Sequence, residues 1–364
     1  MSIPSHCSRA AARTCIRNAE FVAAPRRAFT SSARRGLPTF IETLNTELNS
    51  VLSTIRTKIF LPAHLNREQL DLIYKPVYIP RLSSPTEPVY ASIGGEDIPL
   101  EHLNRVRDLP RTWPIFNAAL SAAQSKQDWA NIVTMLEGFK SSKRKLKSAW
   151  LQKFVRRANM AGRQAVVLQA LQRVEHTGLS LGDQGVLETV LAGIVDLAVV
   201  HKWGQEHTKK ALSYAEQVAA WMEQPEHCGR AWVGKSDPRA SAAVIGVLVE
   251  LSAVLATRFE DRFDDDGKVR MYTERLLAAI EHQGGAEKAI PPAPENVKEA
   301  PGYMRKWIPV WHGLKLVPDI TGHNTQEIVR LLEQRIDAAA DVVRTQRPEG
   351  ENNGAIKFWN ELRQ

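Results

Sequence analysis

Apolar residues in the middle of this chain recur at a long, fixed spacing. Leu120, Val155 and Val190 are 35 residues apart, and so are Leu136 and Leu171. That length holds two helices and their turns, so the spacing predicts a row of helix pairs. Within it, apolar side chains fall on single helix faces. One stripe is Trp129, Ile132, Val133, Leu136 and Phe139; the next is Trp150, Leu151, Phe154, Val155 and Ala158. Val166, Val167, Ala170, Leu171 and Val174 make a third, and Val186, Leu187, Val190, Leu191 and Ile194 a fourth. Asp128, after the polar run Gln124 to Gln127, reads as an N-cap. Gly162 separates the second pair's helices, and a third pair starts near Asp183 with its second helix over 207–223. The competing reading is an irregular helical bundle.

Punctuation divides the rest. Residues 30–111 read as an arm. An amphipathic pattern through Phe40, Leu44, Leu48, Val51, Leu52 and Ile55 precedes a proline-rich stretch, 62–111. Each proline removes a backbone donor and disfavours a helix before it, so that stretch is expected to be extended, with one short helix near 99–107. Residues 112–283 form the helical block, 284–303 a Gly/Pro linker, 304–345 further helices and 346–364 a loose tail. The most apolar runs, 186–200 and 242–256, are interrupted by Glu188, Asp196 and Glu250. They fall short of the ~18 apolar residues that a transmembrane segment needs. The expectation is an all-α protein: a right-handed α-solenoid of antiparallel helix pairs with an extended N-terminal arm.

Residues 1–35 hold seven arginines, no lysine and one acid, Glu20, among many Ser, Thr and Ala. That is the chemistry of a mitochondrial transit peptide. Arg26-Arg27-Ala28-Phe29-Thr30 resembles a matrix-processing site, so 1–29 is expected to be removed, with the product in the matrix, free or peripheral to the inner membrane. Removal takes the net charge from +8 to +4 and leaves Cys228 alone. One cysteine makes no internal disulfide and no structural zinc site.

The remaining charge is concentrated. From Gly138 to Val174 there are ten cations and no acid: Lys140, Lys143, Arg144, Lys145, Lys147, Lys153, Arg156, Arg157, Arg163 and Arg173. A polyanion gains affinity from each phosphate neutralised, through counterion release. Arginine adds a planar fork that holds phosphate bidentately. These ten are the candidate RNA- or phosphate-binding residues. A solvated basic face, or a dock for an acidic protein, remains the alternative.

Phe116-Asn117-Ala118-Ala119-Leu120 resembles the start of a pentatricopeptide first helix. Leu171 to Leu179, with Gly178, resembles the end of its second helix and turn. The resemblance covers about 112–224. It implies single-stranded RNA along the first helices, with bases read at positions matching Ala118, Lys153 and Glu188. Those residue types are poor base readers, which favours contacts to the RNA backbone or to a folded RNA.

Other features read as structure. Trp113, Trp129 and Trp150 lie at core spacing; Trp307 and Trp311, four apart, are core residues or an anchor for a protein partner. His201, His207, His227 and His312 show no ligand spacing, and no metal or cofactor is expected. Ser92 to Asp97 is a turn without phosphate-loop chemistry, and Asp264 to Gly267 a turn rather than a calcium loop. No catalytic arrangement stands out. The chain is therefore expected to act without catalysis in mitochondrial gene expression. Its expected partner is rRNA, mRNA or the mitochondrial ribosome, with a protein contact through the arm or Trp307/Trp311. The alternative is a protein-binding scaffold or an assembly factor for a respiratory-chain complex.

Overall fold

The 35-residue spacing marks successive helix pairs in the computed structural model, which describes residues 36–84, 88–229, 232–234, 237–346 and 353–363. These residues are mostly helical. The pairs are α3 (Thr112–Ala122) with α4 (Lys126–Ser141), α5 (Ser148–Met160) with α6 (Gln164–Gln172), α7 (Gln184–Val200) with α8 (Gln205–Met222), and α9 (Ala242–Phe259) with α10 (Lys268–His282). Leu120, Val155 and Val190 are the buried equivalents on α3, α5 and α7; Leu136 and Leu171 are those on α4 and α6. Each first helix touches the next, α3 to α5, α5 to α7 and α7 to α9.

The helix starts differ in one detail. Ser125, not Asp128, caps α4. The Ser125 hydroxyl accepts the Asp128 amide at 3.1 Å, and the Asp128 carboxylate accepts those of Ser125 and Gln124 at 2.9 and 3.1 Å. Asp128 sits in the first turn and bonds backwards, completing a capping box. The helix carrying the stripe Val166 to Val174 is split at Arg173 into α6 and a short turn, Val174–Thr177.

The arm departs from its expected extended form. Helix α1 (Thr46–Ile55) runs on through a π-turn (Arg56–Phe60) into Leu61–His64; α2 (Arg67–Tyr74) follows, capped by Asn66 and Gln69. Strands β1 (Tyr90–Ile93) and β2 (Glu96–Pro99) then form an antiparallel hairpin, and no helix forms over 99–107. Pro76 lies in a first helical turn, where the missing donor has no intrahelical partner to lose, and Pro80 opens the short turn that follows. Pro62 sits just past the π-turn, inside the continuing helix. None of the three prevents helix formation here.

The arm is fastened to the first pair. Leu48, Leu52, Ile55 and Phe60 are buried. The Phe60 ring meets Phe139 edge-on at 5.2 Å. Gly138 permits this approach, since a Cβ there would lie 2.2 Å from the Phe60 ring.

The C-terminal third closes over α9. The expected linker 284–303 contains a short helix, Ala286–Ala289, and the buried Ile290. Helices α11 (Ala300–Leu316), α12 (Gln326–Gln346) and α13 (Gly354–Arg363) follow. Helix α11 packs tightly on α9, with Gly246 against Val310 and Gly313 against the Glu250 backbone. By length and hydropathy alone α9 could cross a membrane; here 83% of it is buried, with α8, α10 and α11 against it. The expected loose tail is corrected within 353–363. Trp359 is fully buried, packs edge-on against Trp311 at 4.5 Å and donates to Asp337 at 2.9 Å. Trp307 and Trp311 are buried too, so they are core rather than a partner anchor.

Candidate nucleic-acid interface

The basic strip begins where α4 ends. Lys143 adopts a left-handed conformation (φ 56°), and the Arg144 amide reaches back to the Phe139 carbonyl at 2.9 Å. This closure usually has glycine at the turning residue, because a Cβ is strained there. The loop then enters α5 with Lys147 as N-cap, and α3 likewise starts at Arg111. Neither has a side-chain cap bond or an acid in its first turn. Unsatisfied amides at both helix starts add to the positive field of the lysines.

The ten cations are not equivalent. Lys140, Lys143, Arg144, Lys145, Lys147, Arg156 and Arg157 are exposed. Among the described residues none of them forms an ion pair. Arg173 does, with Glu137 at 2.9 Å. Burial raises the Glu137 carboxyl above its usual value, while Arg173 and His176 pull it down. Arg163 is half-buried and its Nε has no hydrogen-bond partner. The Lys153 ammonium is taken up by an aromatic ring, 4.9 Å from the centre of Trp113. Trp113, expected in the core, is 36% exposed. It occupies the first turn of α3, where the buried face ends. The sequence signal was its position two residues after an N-capping arginine.

The strip reaches a groove at Arg156. This groove, about 770 Å³, lies between α5, α7, α9 and α11. Three acids line it: Glu188 and Asp196 on α7, which face Lys306 at 2.8 Å and Arg305 at 3.6 Å on α11, and Asp237, which pairs with Arg239 at 2.8 Å. Burial raises the Asp196 carboxyl, with Arg305 opposing. Of the positions implied as base readers, Glu188 lines the groove and is ion-paired, Lys153 lies over Trp113, and Ala118 is half-buried. They do not form one reading surface. A phosphate chain along the groove would meet three carboxylates, whereas along the loop 140–147 it would meet cations and no acid.

The geometry defines a helix-pair protein with a folded arm and an uncompensated cationic strip on its first pairs. The chain belongs to the mitochondrial ribosomal protein mS27 family, whose model matches residues 27–361. The small ribosomal subunit protein mS27 of Neurospora crassa is 30% identical over 188 residues, 51% of this chain. The match spans about half of that relative's length, 47%.

Proposed function

We propose that this chain is a non-catalytic component of the small subunit of the mitochondrial ribosome, binding ribosomal RNA through the strip from Lys140 to Arg157. The family match carries the reading. The strip says how: seven exposed cations without ion pairs among the described residues make a surface that gains from a phosphate backbone. The row of first helices is read as a right-handed solenoid like that of pentatricopeptide proteins. Residues 1–29, outside the described residues, are read as the import segment; the family match starts at residue 27, beside the expected cleavage at Phe29. The product would act in the matrix. The alternative, an assembly factor for a respiratory-chain complex, has only the mixed-charge groove in its favour.

Sedimentation of a mitochondrial lysate through sucrose tests this. The chain should travel with small subunits and shift to lighter fractions after nuclease digestion. Migration with free proteins under both conditions would overturn the reading. Arg156→Glu with Arg157→Glu should weaken RNA binding and flatten its salt dependence.

A further inference from the structure

We propose that Trp113 is a stacking platform for an unpaired nucleobase at the edge of the basic strip. This rests on reading the strip as an RNA surface. Three observations carry it. The indole is 36% exposed. Its plane is held by two aromatic neighbours: Trp150 lies 5.1 Å away at 31°, and Phe116, fully buried, 6.3 Å away at 27°. A ring so held is presented rather than ordered on binding, which lowers the entropic cost of contact. The ring also already attracts a cation, the Lys153 ammonium at 4.9 Å. A base stacked on the indole exchanges that cation–π contact for a larger aromatic one and releases Lys153 to an adjoining phosphate. Lys147 and Arg111, both exposed, stand beside the two helix starts that carry Trp150 and Trp113.

The platform also accounts for the poor base readers. Every base has a π face, so stacking needs no hydrogen-bond code. Bases inside a duplex are already stacked and offer no free face. The ligand is therefore a single-stranded segment, a bulge or a loop.

The test is fluorescence anisotropy on the full chain, with a labelled oligoadenylate of roughly ten nucleotides and a duplex of equal length. Trp113→Leu should weaken single-strand binding about tenfold, leaving duplex binding and the salt slope unchanged because the indole carries no charge. Trp113→Phe, which keeps a ring, should recover most of the loss and guards against misfolding. Single-strand binding unchanged by Trp113→Leu, or lost equally for both probes, overturns the platform while leaving the strip. A wild-type chain whose binding to either probe does not respond to salt overturns the strip reading and the platform with it.

Discussion

Glu250 and His312 are joined by a 2.8 Å hydrogen bond between α9 and α11, and Glu250 is fully buried. The other carboxylate oxygen, Oε2, has no partner. Burial raises the Glu250 carboxyl above its usual value, and the His312 contact pulls it back in part. A carboxyl raised in the fold contributes stability below its unfolded value, near 4.5, and loses it as pH climbs through the folded value. Glu250→Gln keeps the bond without a charge to bury. Its melting temperature should exceed that of the wild type by a margin that widens from about pH 5 to about pH 8. A margin that narrows over that range would refute the assignment. Glu250→Ala leaves His312 alone beside a cavity and should cost roughly 2–4 kcal/mol.

Asn131 pins the arm. Its side chain accepts the Ile41 amide at 2.9 Å and donates to the Ile41 carbonyl at 2.7 Å, as a neighbouring strand would. Asn131 is buried. Asn131→Ala should cost about 2–3 kcal/mol, from two lost bonds at a partly dry site. Hydrogen exchange should rise around Ile41 and remain slow in α9. Equal acceleration everywhere would show that the arm is part of the global unit.

Lys143→Gly should stabilise the chain by about 1 kcal/mol, since glycine adopts the left-handed turn without the strain of a Cβ. The same change removes one exposed cation. RNA affinity should fall slightly as the melting temperature rises. Opposite movement of the two readings is the signature to look for; a melting temperature that falls would mean that the lysine's packing outweighs its backbone strain.

Trp359→Ala should cost roughly 3–5 kcal/mol. The side chain fills the space against Trp311 and satisfies one oxygen of Asp337, which also receives Arg363 at 2.8 Å. Denaturant unfolding should show the midpoint falling while Trp359→Phe retains most of the stability. An unchanged midpoint in the alanine variant would mean that α13 is not held by the core.

The helix pairs were legible because their apolar stripes repeat, and a repeated stripe can be read without partners. The arm was not. Proline can end the helix before it, start the helix after it, as at Pro76, or be absorbed at a π-turn, as at Pro62, and local composition does not distinguish these. The C-terminal segment was misjudged for another reason. Trp359, beside Phe358, belongs to a short segment that follows a run of Glu, Asn and Gly, and only Trp311, 48 positions earlier, shows where it packs. The strip was visible as charge, but its internal differences come from tertiary neighbours. Glu137 neutralises Arg173, and Trp113 takes up Lys153. Trp113 itself looked like core because spacing records which residues share a face, not where that face stops being covered.

A row of helix pairs has two raw ends, each showing the face that the next pair would have covered. Here the arm packs on the first pair, and α11 packs on α9 of the last pair, with α12 and α13 against α11. A second copy could extend the row only by displacing these elements. Heat cannot peel the pairs away one at a time, as it can in an open array whose stability is a sum over neighbours. The pairs should melt together in one step, with the arm opening locally before them, and the molecule should meet its surroundings through its flanks.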